Sequence, residues 1–558
     1  MSCESEFFFF VWAISSENRD RESAEGDGGT LFKILVSDPL SEYGLKRLFE
    51  APDVEVIQKP GLSEEELVRA IEDVDALLVR SQTKVTARVI EAAKRLKAIG
   101  RAGVGVDNID LQAANQAGVI VINAPDGNTI TTSEHTFAMM MALARKIPQA
   151  YRSTVNGQWR RKDFVGVELR DKVLGIIGFG RIGSEVAKRA QAFQMKILAY
   201  DPFLSEERAA KQGVQVASVD EIISRADFIT VHTPLNKETR HMISREEFSK
   251  MKDGVRIINC ARGGIVDEEA LVEAIRSGKV AGAAFDVFEN EPPSPDHPLL
   301  HMEEVIVTPH LGASTVEAQE NVALDVSEEI LHVLREEPFK NAVNLPSIPA
   351  ELQQKVQPYF SLCEKLGLFA AQLSEGVVNE ISITYSGELS GINPAPLTRY
   401  IVLGVMSYFM GEEVNYVNAP YLAEKREIHV LEQKSSLNRG FTNLITVNIK
   451  TQHGEYTTSG TLLNGYGARI VKINRYPVDL EPQGHLLLIS HVDRPGMVGQ
   501  VGSVLGRNEI NIASMQVGRQ DVGGKAIMLL SIDKEAPATV LDQLQDIQDI
   551  DSVREIDL

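Results

Sequence analysis

Residues 173–193 read VLGIIGFGRIGSEVAKRAQAF, and this stretch decides the fold of the surrounding chain. Five apolar residues lead into three glycines, and an apolar pattern of helical period follows. Gly178 suits a tight turn, Gly180 allows a close approach of the backbone, and Gly183 allows a helix to pack closely on a strand. The pattern therefore predicts a strand, a glycine turn and a helix whose amino terminus can bind a phosphate.

A carboxylate ends the next predicted strand. Asp201 closes KILAYD (196–201), 23 residues after Gly178. At this place a carboxylate can accept hydrogen bonds from the ribose hydroxyls of a dinucleotide. The same carboxylate would repel a 2′-phosphate, and no arginine follows directly in DPFLSEE (201–207). The sequence therefore predicts NAD as the cofactor, rather than NADP.

The glycine turn belongs to a longer alternation of β-branched runs and helical patterns. One series runs from Leu31 to VIVINAP (119–125), and a second runs to VIVTPHLG (305–312). This alternation predicts two α/β units with parallel sheets.

The rest of the chain has a different pattern. After a further helix, residues 336–349 have the proline-rich character of a linker. Residues 350–480 begin with helix and continue with strands. From His485 the order strand, helix, strand, strand, helix, short strand predicts a ferredoxin-like fold.

Composition narrows the classes of partner. The 558 residues carry 57 Lys and Arg against 78 Asp and Glu, a net charge of -21, which disfavours nucleic acids and anionic membranes. Three widely spaced cysteines, Cys3, Cys260 and Cys363, predict neither a metal site nor a disulfide framework, and favour the reducing cytoplasm.

The amino terminus carries an apolar run, residues 7–14, that includes four consecutive phenylalanines. It is too short to span a membrane, and acidic residues precede it where a signal peptide carries basic ones. We interpret residues 1–30 as a disordered or misassigned leader, with a hydrophobic docking segment as the alternative.

Three side chains follow successive strands of the second unit. Arg262, Glu291 and His310 stand where the carboxyl ends of parallel strands line a ligand crevice. A histidine can take the hydroxyl proton of a 2-hydroxy acid while the hydride leaves, a glutamate can hold the imidazole, and an arginine can bind the substrate carboxylate. Each residue alone also suits a plain structural role, as a loop histidine, a solvated carboxylate or a helix cap.

The order and wording of five motifs resemble the D-2-hydroxyacid dehydrogenase family over about residues 31–343. The motifs are GFGRIG (178–183), VHTPLNKETRHMI (231–243), NCARGGIVDEEAL (259–271), DVFENEPP (286–293) and TPHLGAST (308–315). The resemblance implies a flavodoxin-like substrate-binding domain, residues 31–128 plus 314–340, with a Rossmann-like NAD-binding domain, residues 129–313, inserted into it. Residues 345–480 resemble an α+β intervening domain of allosteric substrate-binding type, and residues 484–558 resemble a ferredoxin-like ACT regulatory domain.

The resemblance also implies residue roles. The catalytic residues would be Arg262, Glu291 and His310. The cofactor would contact Val104, Gly178, Gly180, Arg181, Ile182, Gly183, Asp201, Thr233, Cys260, Ala261, Arg262, Asp286, His310, Gly312 and Ala313.

Within the family, the substrate-domain words are similar to those of phosphoglycerate dehydrogenases. The substrate would contact Arg80, Ser81, Arg101, Gly105, Asn108 and Asn128, and Arg161 from the neighbouring subunit. The arginines would meet a phosphorylated substrate. The implied reaction is NAD-dependent oxidation of 3-phospho-D-glycerate to 3-phosphohydroxypyruvate in L-serine biosynthesis. The alternatives are a glyoxylate or hydroxypyruvate reductase and an NADH-sensing scaffold protein.

The ACT resemblance implies an amino-acid effector, L-serine, held at a dimer interface by His491, Asp493 and Asn511. Asp493 stands where some relatives have asparagine, and it can still accept a hydrogen bond from an ammonium group. A purely structural dimerisation module is the alternative. A homodimer or homotetramer is expected.

Overall fold

The computed structural model describes residues 7–8, 31–437 and 440–558 of the chain. Of the leader it describes the two-residue strand Phe7–Phe8, which pairs antiparallel with Ile348–Pro349. The expectation for the rest of residues 1–30 lies outside the described residues. Among the described helices, none is long and apolar enough to cross a membrane.

The first α/β unit is a five-stranded parallel sheet. Taking its strands in chain order as 1 to 5, their order in the sheet is 2-1-3-4-5, which confirms the flavodoxin-like prediction. Gly100 allows the later helix Val316–Leu334 to return onto this sheet, because a β-carbon there would collide with Val326. The strands are Phe32–Val36, Val54–Gln58, Ala76–Val79, Ala98–Arg101 and Ile120–Asn123. The helices between them are Glu42–Glu50, Glu64–Ala70, Ala87–Ala92 and Leu111–Ala117.

The second unit has a seven-stranded parallel sheet. Taking its strands in chain order as 1 to 7, their order in the sheet is 3-2-1-4-5-6-7. The order in which strands are added to the sheet therefore reverses between the first and fourth strands, as in Rossmann-type folds. Apolar clusters cover both faces, as buried parallel strands require. The strands are Val173–Ile177, Lys196–Tyr200, Gln215–Val216, Phe228–Val231, Val255–Asn259, Val280–Phe285 and Val305–Val307. The helices are Thr129–Arg145, Ile147–Val155, Arg181–Ala192, Glu206–Lys211, Val219–Arg225, Arg245–Lys250 and Glu268–Arg276.

The third unit packs helices on one mixed six-stranded sheet. Two helices approach to backbone contact, because a β-carbon at Gly367 would collide with the carbonyl of Ile401, and one at Gly404 with that of Glu364. The helices are Ala350–Val356, Tyr359–Leu373, Ala395–Met410 and Ala419–Lys425. The strands, in sheet order, are His429–Ser435, Val378–Gly387, Asn443–Thr451, Gly454–Leu463, Gly467–Ile473 and Tyr476–Leu480.

The fourth unit is a four-stranded antiparallel sheet with two helices, in the predicted ferredoxin-like order. The last strand, which we expected to be short, extends over eight residues, Ile550–Asp557, because it pairs with strand His485–Val492 from His485 to His491. The other elements are Met497–Arg507, Ile512–Arg519, Lys525–Ile532 and Ala538–Gln545. The residue limits of the four domains stay a prediction.

One hydrophobic core continues through three of the units. It includes Ile34 and Ile330 of the first unit, Phe369 and Ile383 of the third, and Leu488 of the fourth. The Rossmann-type unit has its own two clusters. The first, third and fourth units are therefore joined by packed side chains, whereas the second unit has a core of its own.

Candidate active site

The glycine turn has the geometry that its sequence predicts. Gly178 has φ +95°, and a β-carbon there would lie 2.6 Å from the carbonyl carbon of His232. A β-carbon at Gly183 would collide with the carbonyl oxygen of Gly178. At Gly180 no described atom would lie within 4 Å of an added β-carbon, so the backbone is open at the start of helix Arg181–Ala192. This open cradle fits a pyrophosphate.

Asp201 lies beside this turn. One carboxylate oxygen accepts from the amide of Phe179 at 3.0 Å, and the other accepts from the amide of Phe203 at 2.9 Å. A carboxylate has about four lone-pair sites, so capacity remains for ribose hydroxyls. The cradle and the carboxylate together fit a dinucleotide.

His232 and Thr233 form the opposite wall of the turn. The Thr233 Oγ1 and the His232 Nδ1 are buried and have no hydrogen-bond partner among the described residues. The His232 Nε2 lies 3.0 Å from Thr230 Oγ1, and burial lowers the pKa of His232 to about 4, so the ring is neutral. Buried polar atoms without partners are what a crevice offers to a polar ligand. Sequence reasoning singled out Thr233 and missed His232, whose signal was its place directly after a strand.

Asp286 is buried and fully engaged. Its oxygens accept from Thr308 Oγ1 at 2.5 Å, from the amides of Leu311 at 2.7 Å and Gly312 at 2.8 Å, and contact His135 Nε2 at 3.1 Å. Burial alone would raise the pKa of Asp286, but these donors outweigh it and the pKa is lowered. The carboxylate therefore stays ionised and fixes the loop that carries His310. His135 was not singled out from the sequence.

His310 and Glu291 meet in the crevice. The His310 Nδ1 lies 2.7 Å from Glu291 Oε2, and the amide of Phe288 donates to Glu291 Oε1 at 3.1 Å. Burial favours the neutral carboxyl, but the hydrogen bond and charge of His310 prevail and lower the pKa of Glu291. His310 has φ +54°, a backbone conformation that costs energy and is concentrated at functional sites. Its Nε2 makes no hydrogen bond to a described residue, so a substrate hydroxyl can use it.

Arg262 approaches from the next strand end. Its Nη1 donates to the carbonyl of Ala261 at 2.7 Å, and its Nε donates to Asp107 Oδ2 at 3.1 Å. The buried side chain of Asn259 fixes this turn by bonding the carbonyl of Arg262 at 2.9 Å and the amide of Ala261 at 3.1 Å. A β-carbon at Gly105 would collide with Arg262 Nη2. The guanidinium therefore lies over the substrate-domain loop.

Two further arginines lie in the same corner. Burial first, and then the charge of Arg262, lower the pKa of Arg101 to about 10; the charge of Arg80 acts in the same direction. Arg101 is still a cation at neutral pH, and its Nε is buried without a partner among the described residues. Asp38 accepts from the amide of Arg80 at 2.6 Å and so places that loop. We call Arg80, Arg101 and Arg262 the cationic corner.

Other predicted residues take different places. The amide of Asn108 donates to the carbonyls of Arg80 at 2.9 Å and Thr83 at 2.7 Å, so both of its donor hydrogens serve the protein. Asn128 precedes helix Thr129–Arg145, and its Oδ1 is buried with no partner among the described residues. That oxygen is available to a ligand.

Several cofactor and substrate predictions concern the rim. Arg181 pairs with Asp126 at 2.7 Å, and the carbonyl of Val104 accepts from Asn123 at 2.6 Å. Arg161 is exposed on the short turn Arg161–Phe164. Cys260 is buried in an apolar cluster of the second unit, and burial raises the pKa of its thiol; its contact with the cofactor stays a prediction. The remaining predicted residues, Ser81, Ile182, Ala261 and Ala313, lie in the loops and helix start described above.

An apolar pocket of about 360 Å³ adjoins the His310–Glu291 pair. Its lining includes Phe288, Pro292, Leu300, Val307 and Pro309. An apolar wall keeps the surroundings of this pair low in polarity, which strengthens the hydrogen bond between its members.

The effector residues are not brought together within one chain. In the register of the sheet, His491 pairs with Ala526 of strand Lys525–Ile532. Asn511 precedes Ile512, which pairs with Ile532 of the same strand. Ala526 and Ile532 are six residues apart, or about 20 Å at ~3.3 Å per residue. A ligand that touches both residues must therefore lie between two copies of the domain.

Each effector residue also has its own environment. His491 is 2 % exposed, and its Nε2 has no partner among the described residues. Asp493 accepts from Arg519 at 3.1 Å, and this bond holds its pKa below the usual range. Asn511 donates to Asp533 at 2.8 Å.

Comparison with known proteins gives the same architecture. The family model described as "D-isomer specific 2-hydroxyacid dehydrogenase, NAD binding domain" matches residues 137–312. The model of the "D-3-phosphoglycerate dehydrogenase intervening domain" matches residues 355–474, and that of the ACT domain matches residues 485–549. Among solved structures, the TT0316 protein from Thermus thermophilus is 35 % identical with a TM-score of 0.52, and covers 56 % of this chain and 100 % of its own. A glyoxylate reductase from Paecilomyes thermophila is 31 % identical with a TM-score of 0.52, covering 56 % and 98 %.

The fold and the site thus define the class of NAD-dependent D-2-hydroxyacid dehydrogenases. Within this class, full-length relatives match beyond the first two units. D-3-phosphoglycerate dehydrogenase of Bacillus subtilis (strain 168) is 47 % identical over 532 residues, 95 % of this chain and 100 % of the relative. That of Methanocaldococcus jannaschii is 47 % identical over 529 residues, again 95 % and 100 %. The chain belongs to the D-3-phosphoglycerate dehydrogenase family.

Proposed function

We propose that the chain oxidises 3-phospho-D-glycerate to 3-phosphohydroxypyruvate with NAD, as a step of L-serine biosynthesis. The observation that carries the proposal is the cationic corner, whose Arg262 follows the strand next to the one that leads to Glu291 of the His310–Glu291 pair. A phosphorylated hydroxy acid has a carboxylate and a phosphate, and three guanidinium groups can meet both. The full-length relatives named D-3-phosphoglycerate dehydrogenase support the same substrate.

Each catalytic residue has a task in this reaction. Arg262 binds the substrate carboxylate and stabilises the carbonyl that develops at C2. His310 accepts the C2 hydroxyl proton at Nε2, while Glu291 at 2.7 Å orients the ring and stabilises the imidazolium that forms. The glycine turn and Asp201 would hold NAD, which would supply the acceptor for the C2 hydride. In the reverse direction His310 returns the proton.

The substrate preference would come from Arg80 and Arg101. Both arginines belong to the substrate-binding unit, and Arg101 is a buried cation that an anion would stabilise. A phosphate on the substrate can contact Arg80 and Arg101. Glyoxylate has no phosphate, and its carboxylate would bind Arg262. Arg80→Ala and Arg101→Ala should therefore lose turnover of the phosphorylated substrate and retain turnover of glyoxylate.

The test is a comparison of three substrates. Initial rates of NADH consumption would be measured with 3-phosphohydroxypyruvate, hydroxypyruvate and glyoxylate, each with and without L-serine. A strong preference for the phosphorylated substrate supports the proposal. Equal or faster reduction of glyoxylate would instead favour a glyoxylate reductase, the activity named for one structural neighbour. NADH-dependent capture of a protein partner, with turnover undetectable on all three, would favour a scaffold protein.

We further propose that L-serine binds between two ACT units and that the chain forms a homodimer or homotetramer. Besides the effector residues, an apolar stripe supports assembly. Ile147, Tyr151 and Val155, at helical spacing, are 53 %, 69 % and 60 % exposed, and Trp159 follows at 82 %. An exposed apolar patch of this kind marks an interaction surface. Sedimentation with and without L-serine tests the assembly.

The three widely spaced cysteines support a cytoplasmic location.

A further inference from the structure

Asp107 joins the two units across the crevice. It lies in the loop between strand Ala98–Arg101 and helix Leu111–Ala117, and its side chain is 69 % exposed. Its Oδ2 nevertheless accepts from the Nε of Arg262, which belongs to the NAD unit, at 3.1 Å. A surface aspartate of the substrate unit thus contacts the guanidinium that the reaction requires.

The loop presents this carboxylate rigidly. Directly after Asp107, the side chain of Asn108 donates to the backbone carbonyls of Arg80 and Thr83. The backbone carbonyl of Asn108 accepts from the backbone amide of Val85 at 2.8 Å. Three hydrogen bonds therefore attach the neighbouring residue to the loop that carries Arg80. The backbone next to Asp107 is therefore held by bonds that do not involve Arg262.

The contact completes the orientation of Arg262. The Nη1 donates to the carbonyl of Ala261, the Nε donates to Asp107, and the Nη2 lies against Gly105. Two bonds from different nitrogens fix a planar group in its plane, which a single bond does not. We propose that Asp107 is a positioning residue for Arg262, holding the guanidinium plane so that its free edge meets the substrate carboxylate.

The charge of Asp107 has an opposing effect on binding. Its carboxylate acts against the influences that lower the pKa of Arg101, so it offsets part of the repulsion within the cationic corner. Removing it leaves one more unbalanced positive charge for an anionic substrate. Loss of Asp107 should therefore impair the chemical step without weakening the binding of substrate, a separation that damage to the loop would not produce.

This inference rests on the proposed function, and the experiment separates the two. Rates would be measured for Asp107→Ala and Asp107→Asn with 3-phosphohydroxypyruvate and with glyoxylate, because orientation of Arg262 matters to any 2-oxo acid. Asp107→Ala should lower kcat about tenfold and leave KM equal or lower. Asp107→Asn keeps an acceptor oxygen and should retain most of kcat. Turnover of glyoxylate alone would contradict the proposed substrate and still test Asp107.

A double-mutant cycle shows whether Asp107 acts through Arg262. Lysine has no Nε–H donor at that place, so Asp107→Ala should change kcat less than twofold in an Arg262→Lys background. The matched control is Glu273→Ala. It removes the partner of Arg245 in an exposed ion pair of 2.7 Å in the NAD unit, the unit of Arg262, and should leave kcat unchanged. A wild-type kcat in Asp107→Ala, a raised KM, an equal loss in Asp107→Asn, or an undiminished loss in the Arg262→Lys background would each overturn the inference.

Discussion

Replacing Glu291 by glutamine measures what the carboxylate contributes to proton transfer. Glutamine has nearly the same shape and can still accept a hydrogen bond from His310 Nδ1, so the substitution removes mainly the charge. That charge stabilises the imidazolium formed when His310 takes the hydroxyl proton. The change therefore acts on the transition state for oxidation and leaves the NAD cradle intact.

The magnitude follows from the geometry of the pair. Unit charges about 4 Å apart interact by about 4 kcal/mol at an effective dielectric constant near 20. The His310 and Glu291 side chains are 51 % and 37 % exposed, and solvent screening of such an exposed pair reduces this to about 1 kcal/mol. Because each 1.36 kcal/mol corresponds to a factor of ten, we expect kcat for oxidation to fall roughly fivefold.

A matched control stands two residues away. Glu289 contacts His241 Nε2 at 2.8 Å in a similar pair, and neither residue is among the predicted catalytic or binding residues. Initial rates of NADH formation with 3-phospho-D-glycerate would be compared for Glu291→Gln and Glu289→Gln. We expect Glu289→Gln to retain wild-type kcat. If the two variants differ less than twofold, the electrostatic reasoning is refuted.

Three further outcomes are expected. Gly180→Ala should leave the melting temperature of the cofactor-free protein unchanged and weaken NADH binding at least tenfold in a fluorescence titration, because its added carbon meets only the cofactor. Gly183→Ala should lower the free energy of unfolding by about 1–3 kcal/mol, and with it the melting temperature, because its added carbon collides with Gly178. Equal melting temperatures of the two variants would contradict this. Burial raises the pKa of Glu329 to about 7, so the folded state holds this proton more tightly than the unfolded state, and stability falls as the pH rises from about 4.5 to 7. Glu329→Gln should therefore be more stable than the wild type by about 2 kcal/mol in urea unfolding at pH 8, and the difference should vanish at pH 4; a difference independent of pH would contradict this.

The parts of the site that were predictable are those with a local pattern. The glycine turn and Asp201 follow from periodicity and spacing, the resemblance to the family selected the three residues at strand ends, and the sheet orders agree with the alternation of strands and helices. In a parallel sheet the strand ends converge by topology, so His310 and Glu291 meet although 19 residues separate them.

The parts that were missed depend on contacts between distant segments. Asp107 resembles an ordinary turn residue, and nothing near it indicates a partner 155 residues away. His135 likewise lies inside a helix and reaches Asp286 only through packing. The separation of His491 from Asn511 depends on strand register, which the order of the elements does not reveal.

The core shared by three units has a consequence for shortened forms of the chain. The residues of the last sheet that face the third unit include Leu486, Leu488, Ile527, Leu529 and Ile556. Two relatives of known structure correspond to little more than half of this chain. Cutting this chain before helix Tyr359–Leu373 would expose apolar residues that belong to this core, among them Phe339 and Leu345. A stand-alone dehydrogenase half would therefore need polar replacements along the cut.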